Sequence, residues 1–178
     1  MLATIALAQV IPHRVLSEAQ FMQIATLKNQ VWSYGIDEQI RYLEERTEPD
    51  DRHILLSQNG DLVGYLRITT RFAFSDKTYW IDGVSTVIVS SQHRGSGYGR
   101  ELMKAASSDI LATTPHRTGA LCCSDEYIDF YKKCGWELSD RAFVRAYKNE
   151  SFFKDSNAFT FNAESDLPQI VRIAGRPI

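Results

Sequence analysis

A glycine-rich segment at residues 94–100 has the residue types and spacing needed to bind an anion. Arg94 begins it, and glycines follow at positions 95, 97 and 99. The first turn of an α-helix carries unpaired backbone N–H groups and a partial positive charge, and glycines leave those donors open to a bulky group. Arg94 can add a charge-assisted contact. The segment therefore predicts a site for a pyrophosphate.

The elements on either side of this segment would hold it in place. Before it, the β-branched residues of 84–89 predict a mostly buried strand that ends near Val89. After it, from Arg100 onward, apolar residues return at helical spacing: Leu102, Met103, Ala105, Ala106, Ile110 and Leu111. The pattern predicts a strand that passes through a glycine loop into a helix.

Two better-known phosphate-binding patterns fit this segment poorly. A P-loop needs Lys-Ser or Lys-Thr after its last glycine, but Arg100-Glu101 stands there. The dinucleotide pattern GxGxxG fails at its sixth position, which is Arg100, and no βαβ unit precedes it. A tight strand-to-helix turn that needs glycine for positive φ angles is the remaining alternative for the three glycines taken alone.

The order Arg94-x-x-Gly97-x-Gly99 after a strand resembles the acetyl-CoA motif of the GNAT N-acyltransferase superfamily. Further along, Tyr131-x-x-x-Gly135-Trp136 is similar to a second signature of the same superfamily. The resemblance implies an α/β fold with a mixed, mostly antiparallel sheet and helices on both faces. It implies an N-acetyltransferase that moves an acetyl group from acetyl-CoA to a primary amine, by direct attack in a ternary complex.

The resemblance also implies which residues bind the coenzyme. Backbone groups of Val87 and Val89 would pair with the pantetheine arm, and an exposed N–H would polarise the thioester carbonyl. The diphosphate would lie against the loop, whose six binding residues are Arg94, Gly95, Gly97, Tyr98, Gly99 and Arg100. Acetyl-CoA would act as a co-substrate, and no metal is implied.

Two side chains are candidates for proton transfer. Tyr131, as a phenol with an ordinary pKa near ~10, would give a proton to the departing thiolate; its alternative role is packing beside Phe130. Asp82 is the acidic residue on the strand that leads to the loop, and it would contact the amine and act as its base. The alternative for Asp82-Gly83 is a turn or bulge, because both are poor strand formers.

The acceptor is indicated only by resemblance. Trp80–Val84 and Gly119–Cys123 are similar to segments of the aminoglycoside 2′-N-acetyltransferases, which suggests a small polyamine or aminoglycoside-like acceptor. Asp82 lies farther before Arg94 than that group allows. The first two helices would form one wall of the acceptor site, with Trp32 and Tyr34 as contacts; an aromatic stripe on a helix is also a core pattern.

Length and composition favour one globular domain. The chain has 178 residues, of which 44% are hydrophobic and 24% charged, enough for a single core. We expect one domain over residues 1–178, with a core at about 1–148 and a C-terminal strand extension at about 149–178. A net charge of −2 gives no general basic field, so nucleic acid is not an expected partner.

Cysteine spacing and hydropathy indicate the cellular compartment in which the chain is expected. The three cysteines have no CxxC or Cys/His spacing, which predicts neither a disulfide framework nor a metal site and fits a reducing cytoplasm. No stretch approaches the ~20 apolar residues that span a bilayer, so no membrane is expected. Met1–Ile11 lacks a basic n-region, which favours a first strand over a signal peptide. The sequence leaves a homodimer open.

Local signals predict the element order β-α-α-β-β-β-α-β-α-β. Ser17 and Gln20 form a capping-box pattern for a helix that Gly35 would end, and Asp37 could cap the next helix. Asn59-Gly60 predicts a hairpin, and a turn is expected at 71–77. Ser124 or Asp125 could cap a later helix that ends at Gly135. Strands are expected at residues 4–10, 53–57, 62–70, 78–90, 119–123, 136–138, 143–147, 159–161 and 170–173.

Three other readings stay open. Cys122 and Cys123 end a strand beside the expected coenzyme and could carry an acetyl group, although no activating His is near them in sequence. The chain could be a regulatory module that binds acetyl-CoA without turnover. It could also use a longer acyl-CoA, because the sequence does not set the depth of an acyl pocket.

Overall fold

A computed structural model describes residues 6–145 and 156–174 of the chain. The elements follow the predicted order. The helices are α1 Glu18–Val31, α2 Ile36–Arg46, α3 Tyr98–Ala112 and α4 Ile128–Lys133. The strands are β1 Leu7–Pro12, β2 Arg52–Gln58, β3 Asp61–Phe74, β4 Thr78–Val89, β5 Arg117–Cys123, β6 Glu137–Leu138, β7 Ala142–Arg145, β8 Asn157–Phe161 and β9 Ile170–Ile173. None of the described helices is long and apolar enough to cross a membrane.

The chain divides into two compact units. Unit 1 takes the described residues up to Ile68 together with Thr86–Ala106, and unit 2 takes Thr69–Ser85 and the described residues from Ser107 onward. The long elements β3, β4 and α3 each contribute residues to both. A single domain over residues 1–178 stays a prediction.

In unit 1, helices cover both faces of the antiparallel strands β1, β2 and β3. On one face, α1 and α2 pack on the strands through a cluster of buried side chains: Ile24, Leu27, Leu43, Leu55, Tyr65 and Ile88. On the other face, a Cβ built on Gly64 would lie only 3.0 Å from Leu102 Cδ1 of α3. Neighbouring strand residues point to opposite faces, so Gly64 lets α3 approach the face that Tyr65 does not occupy.

Local signals in unit 1 are mostly confirmed. The Ser17–Gln20 capping box is formed at the start of α1, and the predicted hairpin joins β2 to β3, with φ angles of 54° at Asn59 and 88° at Gly60. The cap of α2 was wrongly predicted. The helix begins at Ile36, and its N-cap is Gly35, which has a φ of 95°. Asp37 therefore lies inside the first turn and does not cap the helix.

Unit 2 is built around β5. This strand pairs in parallel with β4 and antiparallel with β8, which also pairs antiparallel with β6. β9 pairs antiparallel with β3 and in parallel with β7. Antiparallel pairings predominate, which confirms the mixed, mostly antiparallel sheet. A buried cluster covers one side of these strands: Ala73, Tyr79, Ile81, Ala120, Phe143, Leu167, Val171 and Ile173.

Several boundaries in unit 2 differ from expectation by a few residues. β3 runs on to Phe74, where a turn was expected, because Ala73 finds a backbone partner in Ile173 of β9. A short 3₁₀ turn at Asp125–Tyr127 precedes α4, which starts later than predicted. The strand expected at 143–147 corresponds to β7, which ends at Arg145. Residues 146 and 147 of the expected strand lie outside the described residues.

The end of α4 follows the predicted C-cap. Gly135 has a φ of 81°, and the N–H of Trp136 donates to the Tyr131 carbonyl at 3.1 Å. This backbone turn is favoured by glycine and closes the helix. Trp136 is fully buried and its Nε1–H donates to Ser107 Oγ at 3.1 Å. The Tyr131–Trp136 signature therefore fixes the orientation of α4 within unit 2.

Candidate functional site

The glycine loop of unit 1 combines positive φ angles with open space. Gly95 and Gly97 have φ angles of 80° and 86°, a conformation that L side chains rarely adopt. A Cβ built on Gly95 would meet no atom within 4 Å. The glycine there is thus required by the backbone conformation and not by close packing of the protein against it. The tight strand-to-helix turn and the loop predicted to bind an anion, which were alternatives for these glycines, are therefore compatible with one and the same segment.

Backbone N–H groups of the loop are left unpaired. The amides of Arg100 and Glu101 both donate to the Gly97 carbonyl, at 3.0 and 3.2 Å, and that of Ser96 donates to His93 at 3.4 Å. The other amides from 95 to 99 have no acceptor among the described residues: Gly95, Gly97, Tyr98 and Gly99. Four donors therefore cluster at the N-terminus of α3, where the helix dipole adds positive potential.

Arginines add positive charge at the same place. Arg94 and Arg100 are both exposed. Arg100 Nη2 lies 3.7 Å from the position that a Cβ on Gly97 would occupy, so its guanidinium reaches the loop backbone. A diphosphate bound by the free amides would find charged donors within reach. The loop residues named from the sequence thus form one local site.

Residues just before the loop brace it, which the sequence did not predict. The Ser90 hydroxyl and His93 Nδ1 are 2.7 Å apart, and the His93 ring stacks on Tyr98 with ring centroids 5.9 Å apart. The N–H of Ser90 donates to the Val63 carbonyl at 2.9 Å, which ties the loop to β3. The spacing of Ser90 and His93, three residues apart, is the sequence signal that could have indicated this brace.

The strand that enters the loop is irregular at Thr86. Its φ of 58° is unusual for a β-branched residue and costs free energy of order ~1–3 kcal/mol. The parallel ladder with β5 covers Trp80–Gly83, although β4 continues to Val89. Val87 and Val89, which follow Thr86, are half-buried, and their contact with pantetheine stays a prediction.

Tyr131 lies in unit 2 with its ring packed in a largely apolar setting. Its centroid is 5.7 Å from that of Phe159 and 5.0 Å from that of Phe130. Burial raises the pKa of the phenol, and the thiols of Cys123 and Cys122 raise it further. The hydroxyl therefore keeps its proton at neutral pH, the state that a proton donor requires. Packing and proton donation are compatible roles for this ring.

The nearby thiols are weak nucleophiles in this setting. Cys123 is buried, and loss of hydration is the largest cause that raises the pKa of its thiol. Cys122 is exposed as a residue, but the neighbouring protein atoms partly desolvate its thiol and raise its pKa too. A raised pKa lowers the thiolate fraction at neutral pH. These environments give no support to the alternative in which a cysteine carries the acetyl group.

Asp82, also in unit 2, is fully buried and ion-paired. Arg117 Nη1 donates to its Oδ1 at 3.1 Å, and the Thr70 hydroxyl donates to the same oxygen at 2.7 Å. Asp82 and Gly83 lie inside β4, in regular register opposite Gly119 and Ala120 of β5, so the alternative of a turn at these two residues is wrong. The contacts of this carboxylate are those of a structural ion pair, and its role as a base stays a prediction.

We expect Asp82→Asn to lower the free energy of unfolding by about 2–4 kcal/mol, because Arg117 would lose its buried counter-charge. Chemical denaturation measures the change, and Asp140→Asn, at an exposed carboxylate, should change it by less than about 0.5 kcal/mol. Transfer kinetics on the folded variant then separate the two roles: unchanged kcat fits an ion pair alone, whereas loss of kcat with a shifted acidic limb of the pH profile fits the base.

The aromatic residues proposed to contact the acceptor are on the surface of unit 1. Trp32 is 38% exposed and Tyr34 is 73% exposed. The alternative that they form a core stripe is therefore wrong. The Trp32 carbonyl accepts from Gln39 Nε2 at 2.6 Å, which joins the end of α1 to α2 and fixes the connection between them.

The two units hold different parts of the predicted set. Unit 1 contains the loop, the strand end at Val87–Val89 and the surface aromatics Trp32 and Tyr34, whereas Asp82 and Tyr131 belong to unit 2. The coenzyme half of the prediction thus lies within one compact unit. The assignment of each residue to a step of the reaction stays a prediction.

Comparison with known proteins identifies the family. Residues 13–139 match the family described as the acetyltransferase (GNAT) domain. Escherichia coli ElaA is 23% identical and has a TM-score of 0.62, with 88% of this chain and 98% of that chain covered. E. coli YhbS, solved in complex with CoA, is 16% identical with a TM-score of 0.65, and 96% of this chain and 90% of that chain are covered.

A third solved structure is an aminoglycoside 6′-N-acetyltransferase complexed with coenzyme A. It is 14% identical with a TM-score of 0.61, and 86% of this chain and 96% of that chain are covered. At these identities the likeness shows a shared fold. No curated protein sequence matches the chain. Because the family match extends over most of the chain and includes both the glycine loop and Tyr131, the chain belongs to the GNAT acetyltransferase family, whose members are acyl-CoA N-acyltransferases.

Proposed function

We propose that this chain is an N-acetyltransferase that moves an acetyl group from acetyl-CoA to a primary amine. The observation that carries the proposal is the set of unpaired amides at Gly95, Gly97, Tyr98 and Gly99, flanked by exposed arginines. A diphosphate is a dianion with many acceptor oxygens, and it satisfies both the donors and the charge. The neighbours solved with CoA support this ligand class.

The proposed chemistry is direct transfer. The neutral amine nitrogen attacks the thioester carbonyl carbon, the C–S bond breaks, and an amide forms. Tyr131 gives its proton to the departing sulfur, which its raised pKa allows. The attacking nitrogen loses one proton to a base, for which Asp82 is the candidate named from the sequence. Val87 and Val89 would align the pantetheine arm through their backbone groups.

The acyl length and the acceptor are the finer parts of the proposal. We propose acetyl as the acyl group and a small-molecule or peptide amine as the acceptor; the aminoglycoside-like acceptor suggested by resemblance is one member of that class. Trp32 and Tyr34 would contact the acceptor from the surface of unit 1. A cytoplasmic location and a homodimer are further predictions from the sequence.

A thiol-release assay tests the proposal. The purified chain is mixed with acetyl-CoA and a panel of amines that includes aminoglycosides, polyamines, amino acids and peptides, and free CoA thiol is followed. We expect release that depends on one class of amine. Binding of acetyl-CoA without release for any amine would overturn the enzyme proposal and favour the regulatory module.

The acyl length is measured with the same protein. Thermal shift with acetyl-CoA and with longer acyl-CoAs ranks their affinities, because stabilisation grows as RT ln(1 + [L]/Kd). A larger thermal shift and faster thiol release with a longer acyl-CoA would show that the longer acyl group, and not acetyl, is the group transferred.

A further inference from the structure

Strand β1 of unit 1 has one edge that no other strand of the described residues pairs with. It pairs antiparallel with β2 from Leu7 to Pro12, in continuous register and without a bulge. In the order of the sheet it is a terminal strand. Alternate residues of a paired strand point their N–H and C=O groups away from the partner. The outer edge of β1 therefore presents a row of backbone donors and acceptors that lack a strand partner.

The residues of β1 have none of the features that usually protect the edge of a sheet. Such edges are commonly guarded by lysine, other charged side chains, a bulge or an internal proline. The first twelve residues include no Asp, Glu, Lys, Arg or His, although 24% of the chain is charged. Pro12 is the last residue of the strand, where it does not interrupt the edge. The edge is thus neutral along its length.

Apolar side chains of β1 are exposed on both faces of the sheet. Leu7 is 63% exposed and Val10 is 40% exposed. Because these residues are three positions apart, their side chains point to opposite faces. On the face of Leu7, the Ile11 side chain packs against the buried cluster under α1 and α2. The edge therefore combines unpartnered backbone groups with uncovered apolar surface, which favours pairing with a strand of another chain.

The other end of the same run of strands does not match this edge. It is β6, which consists of Glu137 and Leu138. Pairing of β1 with β6 of another copy would extend over at most two residues, and it would not close. Antiparallel pairing of β1 with β1 of another copy extends over most of the strand and closes with twofold symmetry. The second arrangement satisfies more backbone groups.

We propose that β1 is the contact through which two copies of this chain form a homodimer with a continuous sheet. The inference does not depend on acetyl transfer. A twofold axis perpendicular to the sheet places one residue of β1 opposite its own copy, and the two registers with the most overlap place Gln9 or Val10 there. Two glutamine amides can hydrogen-bond to each other, and two valines pack as a β-branched cross-strand pair. Neither register brings like charges together.

Sedimentation velocity of wild type measures the association. Over about a hundredfold range of protein concentration, we expect a shift from one chain to two chains, without larger species. A single chain at every concentration would overturn the proposal. Open-ended growth with concentration would overturn it as well, because that result indicates a head-to-tail contact.

Val10→Lys tests whether β1 is the contact. In either register the two introduced ammonium groups would lie opposite or diagonal to each other on one face, so the dimer Kd should rise by about tenfold or more. The matched control is Met22→Lys on α1, at a side chain that is 48% exposed; its Kd should equal that of wild type. An unchanged Kd in Val10→Lys, or an equal rise in Met22→Lys, would contradict the assignment of β1.

Charge reversal separates loss of the contact from loss of folding. At a concentration where wild type is dimeric, Val10→Lys and Val10→Glu should each sediment mainly as one chain. An equimolar mixture of the two should sediment as a dimer, because opposite charges then meet at position 10. Misfolded variants would not recover on mixing. A mixture that stays monomeric, with each variant folded by circular dichroism, would overturn the β1–β1 contact.

Discussion

Tyr131→Phe should lower kcat for acetyl transfer by about 10²- to 10⁴-fold, the range for loss of a general acid. The variant removes one oxygen from a ring that packs against Phe130 and Phe159, so the packing of unit 2 is retained. Without the phenol, the departing thiolate must take its proton from water. Steady-state thiol release at saturating acetyl-CoA and amine measures the loss, and the Kd for CoA should stay within about twofold.

Tyr127→Phe is the matched control for this variant. Tyr127 is an exposed phenol in the turn that precedes α4, and its loss should leave kcat within about twofold of wild type. Because burial raises the pKa of Tyr131 above its ordinary value near ~10, the phenol keeps its proton over the neutral and mildly alkaline range. The kcat profile of wild type should therefore show no descending limb below about pH 10. Equal kcat in Tyr131→Phe and wild type would show that Tyr131 is not the proton donor.

Gly95→Asp should raise the Kd for CoA by about 100-fold relative to Gly95→Asn. A side chain at this position meets no protein atom within 4 Å of its Cβ, and it lies among the unpaired amides that would hold the diphosphate. Both variants bear the same backbone strain at a φ of 80°, and their side chains have nearly the same shape. The difference between them is one negative charge in the anion site, which repels the ligand.

Dephospho-CoA and pantetheine make this comparison specific, and isothermal titration calorimetry measures both beside CoA. Dephospho-CoA keeps the diphosphate but lacks the 3′-phosphate of CoA, so it should show the same difference between the two variants. Pantetheine lacks both groups, so the two variants should bind it equally. The difference for CoA should shrink as salt is added, because screening weakens charge repulsion at an exposed site. Equal affinity of the Asp and Asn variants for CoA would show that the diphosphate does not bind at the glycine loop.

Features that depend on a few neighbouring residues could be predicted from the sequence. The Ser17 capping box, the Asn59-Gly60 hairpin, the glycine loop and the Gly135 cap each have a local chemical cause, and each is present in the structure. Their backbone conformations need a particular side-chain acceptor or a glycine at one position. Such requirements can be recognised without knowledge of the tertiary fold.

Features that depend on distant contacts or on an unmarked backbone could not be predicted. Asp82 meets Arg117 across 35 residues, and no local pattern links the two. Thr86 adopts a positive φ without being glycine or asparagine, so its irregular strand carries no sequence signal. The burial of Lys28 did leave a signal, because Lys28 follows Ile24 by four residues on the buried side of α1, the side on which a surface lysine is not expected.

The brace around the glycine loop bears on the thermodynamics of coenzyme capture. The Ser90–His93 contact and the His93–Tyr98 stack hold the loop with protein groups alone. A loop that already has its bound shape gives up little conformational freedom when the ligand arrives. Association should then depend mainly on desolvation of the phosphates, and its entropic penalty should be small compared with that of a loop that folds around its ligand.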